Sequence, residues 1–242
     1  MPYNLPQPAE KREYVQQLFG RIAGKYDLLN KIISMGQDSS WRKRVVTLLQ
    51  PQTSQIYLDI GSGTGDLARE IINAQPMAAV VAVDLTFQMI RVGKNRINSP
   101  NIHWIVADAQ ALPFARKTFN GVVSGYLLRN VVDLKRALEE QIRVIHSGTQ
   151  IVALDTTPPA RNWYFPFVMA YLRFMIPAIG ILLSGDRQAY SYLPRSTSHH
   201  ILAEELAKTL QICGFESVGY YKMMLGTMAI HFGNKPASDV GN

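Results

Sequence analysis

The chain has a single cysteine, Cys213, which excludes an internal disulfide framework and a multi-cysteine zinc site. Its setting, Leu-Gln-Ile-Cys-Gly-Phe, is apolar and predicts a buried core thiol. The first residues lack a charged segment followed by an apolar stretch, so no secretory signal is read and a cytoplasmic location is expected. Internal repeats and low-complexity segments are missing as well. An uninterrupted apolar run of membrane-spanning length is also lacking. The stretch 163–183 comes near the roughly 20 residues of a span, but Arg173 sits at its midpoint and Pro166 and Pro177 interrupt it. A charge at that depth costs roughly 2.5–3.5 kcal/mol. A buried helix pair, or an apolar lid touching lipid or a greasy substrate, is the expected reading.

What is present is 242 residues, 47% of them hydrophobic, enough for one α/β domain with a sizeable core. The net charge of +7 favours nucleic acid, an anionic membrane surface or an anionic ligand. Charge alone does not choose among them; the basic residues are scattered and not gathered in a tract, which weakens the nucleic-acid reading without excluding it. Helix-like spacing runs over 9–49 (Val15, Leu18, Phe19, Ile22, then Leu28, Leu29, Ile32, Ile33). Short apolar strands follow at 56–60, 78–83, 102–106, 121–124 and 151–154, separated by helical stretches at 66–73, 87–95 and 134–144. That alternation predicts a parallel sheet covered on both faces. A helix over 201–212 and strands over 217–223 and 227–232, joined through Leu225-Gly226, close the chain. The expected organisation is one domain: a helical cap (1–55), a ligand-binding core (56–155), an apolar lid (156–200) and a C-terminal helix with a strand pair (201–242).

After the first strand comes Leu58-Asp59-Ile60-Gly61-Ser62-Gly63-Thr64-Gly65-Asp66. Glycines at alternate positions permit positive φ and let the backbone lie against a ligand. A dinucleotide fingerprint spaces its third glycine one residue later, so this spacing favours an adenosylmethionine site; a plain strand-to-helix turn is the competing account. Ala82-Val83-Asp84 ends the second strand with a carboxylate that can take both hydrogens of a ribose diol, and Val106-Ala107-Asp108-Ala109 ends the third with one suited to an adenine amino group. Each Asp alone could be an ordinary helix cap. In order along the carboxyl edge of one sheet, they form a ligand site.

These residues resemble the class I methyltransferases. The resemblance implies a Rossmann-like seven-stranded sheet with its last strand antiparallel, and S-adenosyl-L-methionine as cofactor. Its implied contacts are Tyr26, Gly61, Gly63, Thr64, Gly65, Asp84, Leu85, Asp108, Ala109 and Gly125, with no metal. The segment 19–41, with Tyr26-Asp27, Asn30, Ser34 and Trp41, is similar to the quinone C-methyltransferases of menaquinone and ubiquinone biosynthesis. So are Ala111-Leu112-Pro113-Phe114, Leu128-Arg129-Asn130-Val131, Arg143-Val144-Ile145, Ser184-Gly185-Asp186 leading to Tyr190-Ser191-Tyr192-Leu193, and the closing segment 225–235. The chain departs from that family at Leu29 and Asp38, where methionine and histidine are usual, and at Gly125-Tyr126-Leu127, where Ser-Phe-Gly is. It departs again at Gly148-Thr149, in place of Gly-Gly, and at Asp155-Thr156-Thr157, in place of Glu-x-Ser.

The implied reaction is methylation of a prenylated quinol ring, demethylmenaquinol to menaquinol, with a small hydrophobic aromatic acceptor and peripheral contact with a membrane. Another aromatic or specialised metabolite is the alternative acceptor, and the oligomeric state stays open, a homodimer included. A sulfonium methyl is already activated, so the site must align an acceptor carbon and stabilise a ring phenolate. Arg129 and Asn130 are the catalytic candidates. Arginine keeps its protons, so it is assigned electrostatic stabilisation or positioning of a water, against a competing role as a salt bridge to Asp155 or Asp27. Asn130 is assigned a hydrogen bond to an acceptor oxygen. Tyr26 and Asp27 are expected to close over the cofactor, with packing as the alternative for Tyr26, and His231 to be satisfied locally. A nucleic-acid methyltransferase would need Asp/Asn-Pro-Pro-aromatic where Ser124-Gly125-Tyr126-Leu127 stands, or a nucleophilic cysteine better placed than Cys213. A non-catalytic subunit would not need the intact glycine motif.

Overall fold

The computed structural model describes residues 7–159, 161–184, 196–197 and 200–237. The segment 185–193, including Tyr190 and Tyr192, lies outside the described residues. Seven strands form one sheet: β1 (Ile56–Ile60), β2 (Ala79–Asp84), β3 (Ile102–Val106), β4 (Phe119–Gly125), β5 (Ile145–Thr156), β6 (Glu216–Met223) and β7 (Met228–Asn234). Their order is β3-β2-β1-β4-β5-β7-β6, and β7 runs antiparallel to both its neighbours. This is the sheet that the resemblance implied. The strand order reverses between β1 and β4, so the crevice beyond their carboxyl ends is where such a sheet takes its ligand. β5 is much longer than the predicted 151–154: it begins at Ile145, opposite Phe119, and a register shift intervenes before Gln150 pairs with Gly121. The polar Ser147, Thr149 and Gln150 there hid the strand from an apolar pattern.

Both faces of the sheet are covered. Helices α4 (Asp66–Ala74), α5 (Phe87–Arg96) and α6 (Leu134–Val144) fall between strands, and α9 (Ala203–Ile212) precedes β6. Apolar residues at helical spacing explain the packing: Leu67, Ala68 and Ile71 of α4, then Ala137, Leu138 and Val144 of α6, are buried. Asp133 caps α6 by accepting from Arg136 N at 2.9 Å. Thr157 Oγ1 accepts from Ala203 N at 2.9 Å and pins the start of α9 to the end of β5. Cys213 is half-buried at the edge of the core, with burial pushing its thiol pKa up.

The helical N-terminal region resolves into α1 (Pro8–Ile22), α2 (Tyr26–Ile33) and α3 (Asp38–Leu49). A 3-10 turn, Ala23–Lys25, separates the first two, and the positive φ of Met35 and Gly36 the last two. Leu18, Phe19, Ile22, Leu29 and Met89 bind α1 and α2 to α5 in a core of their own. The apolar run forms α7 (Phe165–Ala170), a π-helical turn (Tyr171–Met175) and α8 (Ile176–Ser184). Pro177 has no N–H for the carbonyl four residues back, and the wider turn before it absorbs that mismatch: Ile176 N donates to Tyr171 O. Val168, Leu172 and Ile176 are buried, and Tyr171 Oη donates to Ile33 O at 2.5 Å, fastening the pair to α2. Trp163, Phe167 and Phe174 are 84, 71 and 67% exposed. Among the described residues no helix is long and apolar enough to cross a membrane.

One contact sets the closeness of α4, α5 and β3. Trp104 lies over Gly65 and Gly93, where an added Cβ would come within 2.3 and 2.5 Å of its ring. Gly93→Ala is expected to cost about 2 kcal/mol or more through overpacking, and Trp104→Leu in the same chain to recover much of it. Urea denaturation of the single and double variants checks this; a neutral Gly93→Ala contradicts it.

Candidate active site

The loop after β1 turns on glycines held in the left-handed region, with φ +66 at Gly61 and +55 at Gly63. A Cβ on Gly61 would stand 2.8 Å from Leu127, and one on Gly63 would face the Tyr26 ring at 3.7 Å. Gly65 does a different job from the one expected of it. It is the N-cap of α4 at φ +82, packed under Trp104, and it lines none of the clefts described below. Asp84, ending β2, accepts from Gly63 N through Oδ2 at 2.9 Å and from Thr86 N through Oδ1 at 2.7 Å. Burial pushes its pKa up while these two amides pull it down. A carboxylate oxygen has two lone pairs, so each oxygen keeps acceptor capacity.

Three hollows meet at this edge. The first is a cleft of about 760 Å³, its mouth included, lined by Tyr26, Asp84, Leu85, Asp108, Ala109 and Gly125 among others. That size suits a small-molecule ligand. Asp108 accepts from Gln110 N at 2.9 Å and pairs with Arg12 at 3.0 Å. Arg12, Val15 and Phe19 of α1 form the roof, a feature that the sequence pattern did not disclose. Lys11 Nζ holds α1 down by donating to the carbonyls of Arg129 (3.1 Å) and Val131 (2.6 Å), and Gln16 Nε2 donates to Leu85 O at 3.0 Å.

The second hollow is a recess at the glycine loop, lined by Tyr26, Arg42, Asp59, Gly61, Gly63 and Thr64 among others. Asp27 does not close over it. Its carboxylate accepts from Thr64 Oγ1 at 2.5 Å and pairs with Arg96, which also reaches Asp66 at 2.6 Å. Arg42 bridges Asp66 (3.2 Å) and Asp38 (2.5 Å), so the carboxylate standing in place of the family's histidine is half of a buried ion pair. Asp59 is fully buried; its Oδ2 accepts from Ala68 N at 3.0 Å, whereas Oδ1 has no partner. Desolvation first, then the nearby Asp84 and Asp66, push its pKa up to about 7.

The third hollow, of about 630 Å³, lies across Tyr126 and is mainly apolar; Asn30, Trp41, Arg129, Thr156, Tyr171 and Ile176 are among its walls. Tyr126 borders all three hollows, in a left-handed conformation at φ +60. Its amide donates to Leu154 O at 2.7 Å and its carbonyl accepts from Asn130 Nδ2 at 2.8 Å. Asn130 therefore braces the turn and faces the first cleft, while Arg129 faces the third. The two catalytic candidates do not converge on one pocket. Arg129 is 8% exposed, its Nη1 is 2.5 Å from Asp155 Oδ1, and its backbone N donates to Asp155 Oδ2 at 3.2 Å. Burial pushes Asp155 up, but the Arg129 guanidinium prevails and holds it below the usual carboxylate range. The competing salt bridge to Asp155 is thus present, and it leaves Arg129 Nε buried without a partner. His231 lies behind these, its Nε2 2.9 Å from Ala203 O.

A sheet of this order, with a glycine loop at its switch point and carboxylates after β2 and β3, defines a class I S-adenosylmethionine-dependent methyltransferase. The ubiE/COQ5 methyltransferase family matches residues 7–235, and the chain belongs to that family. It is 45% identical over 221 residues to the ubiquinone/menaquinone biosynthesis C-methyltransferase UbiE of Desulfotalea psychrophila, covering 91% of this chain and 90% of that one. It is 37% identical to the demethylmenaquinone methyltransferase of Roseiflexus sp., covering 96% and 97%. Among solved structures, a SAM-dependent methyltransferase from Thermotoga maritima shares the fold with a TM-score of 0.65 at 16% identity, over 91% and 99% of the two chains.

The hollows fit the cofactor. The first brings Asp84, Asp108 and Ala109 to one cleft, a set of groups that suits a nucleoside, and the unpartnered Asp59 oxygen in the recess suits an ammonium group. With its pKa near 7 in the fold, Asp59 keeps a proton that the unfolded chain gives up near pH 4. Its contribution to the stability of the cofactor-free protein therefore declines as pH rises from about 4 to 7. Asp59→Asn is expected to raise the cofactor-free melting temperature at pH 8 by about 2 °C or more, with a smaller gain at pH 5, and to weaken cofactor binding at least about tenfold. Thermal melts at both pH values with calorimetry check this; an equal effect at both contradicts the assignment.

Proposed function

We propose that the chain transfers a methyl group from S-adenosylmethionine to a ring carbon of a prenylated quinol, with demethylmenaquinol as the acceptor. The observation that carries this reading is an apolar cleft that meets the cofactor cleft at Tyr126 and bears one buried guanidinium, Arg129. The names of the relatives from Roseiflexus and Desulfotalea point to the same chemistry. When bound, the cofactor supplies an activated methyl; the chain supplies geometry and electrostatics. Asp84 takes the ribose diol, Asp108 and Ala109 border the adenine, and Gly61, Gly63, Thr64, Leu85 and Gly125 shape the cradle under Tyr26. Arg129, kept cationic and fixed by Asp155, stabilises the phenolate that makes the ring carbon nucleophilic. After transfer, that carbon loses its proton and the ring regains aromaticity. Asn130 acts through the Tyr126 turn that it braces. Helix α1 covers the cofactor cleft, and the π-helical turn with α8 covers the acceptor cleft.

A second reading, another aromatic acceptor, draws support from Tyr126 and Leu127. These depart from the family's Phe-Gly at the junction of the clefts and fill space that glycine would leave open. The exposed Trp163, Phe167 and Phe174, with Leu28 of α2 and Met35 of the turn after it also exposed, support a face that rests on a membrane. Arg161 and Arg173 favour an anionic surface. A prenyl tail entering from lipid would gain roughly 0.8 kcal/mol per methylene buried.

Incubation with labelled cofactor and a panel of demethylated quinols decides the acceptor: demethylmenaquinol should gain one ring-carbon methyl. Phe174→Ser should raise KM for the prenylated quinol by about fivefold or more, leave the tail-less quinol unchanged, and weaken binding to anionic liposomes at low salt. Equal losses on both substrates, or no liposome binding by the wild type, would refute the membrane face.

A further inference from the structure

The acceptor cleft has apolar walls (Ile33, Trp41, Leu172, Ile176, Met228) and a small polar complement. Most of those polar groups are already engaged. Ser34 Oγ lies 3.2 Å from both Lys31 O and Asp38 Oδ1, and Thr227 Oγ1 donates to Met224 O at 2.8 Å. Three are not: Asn30 Nδ2, Arg129 Nε and Thr156 Oγ1 are each buried without a hydrogen-bond partner. They come from α2, the loop after β4 and the end of β5, and all three residues line this one cleft. An unpartnered buried polar atom costs stability unless a ligand completes it, so three in one hollow mark a ligand's polar positions.

We propose that Asn30 and Thr156 contact the acceptor directly and form, with Arg129 Nε, a three-point clamp on two ring oxygens. This rests on reading the cleft as the acceptor site. The donor types decide which oxygen goes where. Asn30 Nδ2 and Arg129 Nε can only donate, so they hold an anionic ring oxygen; Thr156 Oγ1 can also accept, so it accepts the hydrogen bond of a ring hydroxyl. The clamp therefore selects the singly ionised form of a ring with two hydroxyl groups over a ring with one. Thr156 follows Asp155 in the chain, so the pair that fixes Arg129 also fixes the spacing between two points of the clamp. Asn30 stands close enough to Tyr26 for its amide to favour the ionised form of that hydroxyl, which connects the acceptor's position to a wall of the cofactor cleft.

The test uses the full chain with S-adenosylhomocysteine bound, under anaerobic conditions, with 1,4-dihydroxynaphthalene and 1-naphthol as probes in calorimetry. Wild type should bind the dihydroxy ring about tenfold more tightly than the monohydroxy ring. Thr156→Val, which keeps the shape, should reduce that preference below about threefold, and Thr156→Ser should restore it. Thr156→Val should melt no lower than wild type and bind the cofactor equally well, because the hydroxyl makes no hydrogen bond in the free protein. Asn30→Ala should weaken both probes. An absent preference in wild type, or one that survives Thr156→Val, overturns the clamp. If the preference is present but no demethylated quinol is methylated, the clamp stands and the proposed acceptor fails.

Discussion

The ion pair between Arg129 and Asp155 is the constraint on which the site depends. Both side chains are almost wholly buried, so either charge left there alone would strongly destabilise the fold. Asp155 ends β5, and Arg129 follows the turn after β4; the pair locks that turn against the neighbouring strand. The turn carries Tyr126 in a left-handed conformation, braced by Asn130, and Tyr126 is the wall shared by the cofactor cleft and the acceptor cleft. Lys11 closes the arrangement from above by binding the carbonyl of Arg129 itself. One buried charge pair thus sets the partition between the clefts, the anchor of the roof and the direction of the guanidinium that, among the described residues, faces the apolar cleft.

A second set of charges does for the helical cap what the first does for the turn. Asp27, Arg96, Asp66, Arg42 and Asp38 form a chain of ion pairs from α2 through α5 and α4 to α3, with Thr64 of the glycine loop bonded to its end. Their sum ties the cap to the loop that shapes the cofactor's recess. Asp66 and Asp38 together balance Arg42 in the interior, and a neutral histidine at position 38 would leave that balance to Asp66 alone. The departure from the family at this position is therefore compensated locally, whereas those at Tyr126 and Leu127 alter the clefts.

The parts of the fold that were legible in the sequence are those governed by local pattern. Apolar runs such as Ile151 to Leu154 bury both faces of a strand, and the Gly61 and Gly63 spacing admits the positive φ found there. Asp84 reads as a ligand residue because its place at a strand end is itself a local signal. What escaped depended on distance along the chain. Lys11 meets residues more than a hundred positions away, and Arg12 pairs with Asp108 on another element. Gly65 was indistinguishable from its neighbours by spacing, since only the fold brings Trp104 over it. Arg129 and Asn130 are adjacent in sequence, yet the turn sends them to different clefts. Asn30 and Thr156 stand in segments that the family pattern marks, but that their polar atoms lack partners exists only in three dimensions.

The central claim is that a guanidinium fixed by a buried carboxylate lowers the proton affinity of an acceptor ring. It can be read directly from the absorbance of 1-naphthol bound beside S-adenosylhomocysteine, titrated with pH. In the wild type the bound phenol should ionise at least about ten times more readily than in water, and in Arg129→Gln that gain should vanish while the probe still binds. A bound phenol as weakly acidic in the wild type as in water, or equally acidic in both proteins, would contradict the account.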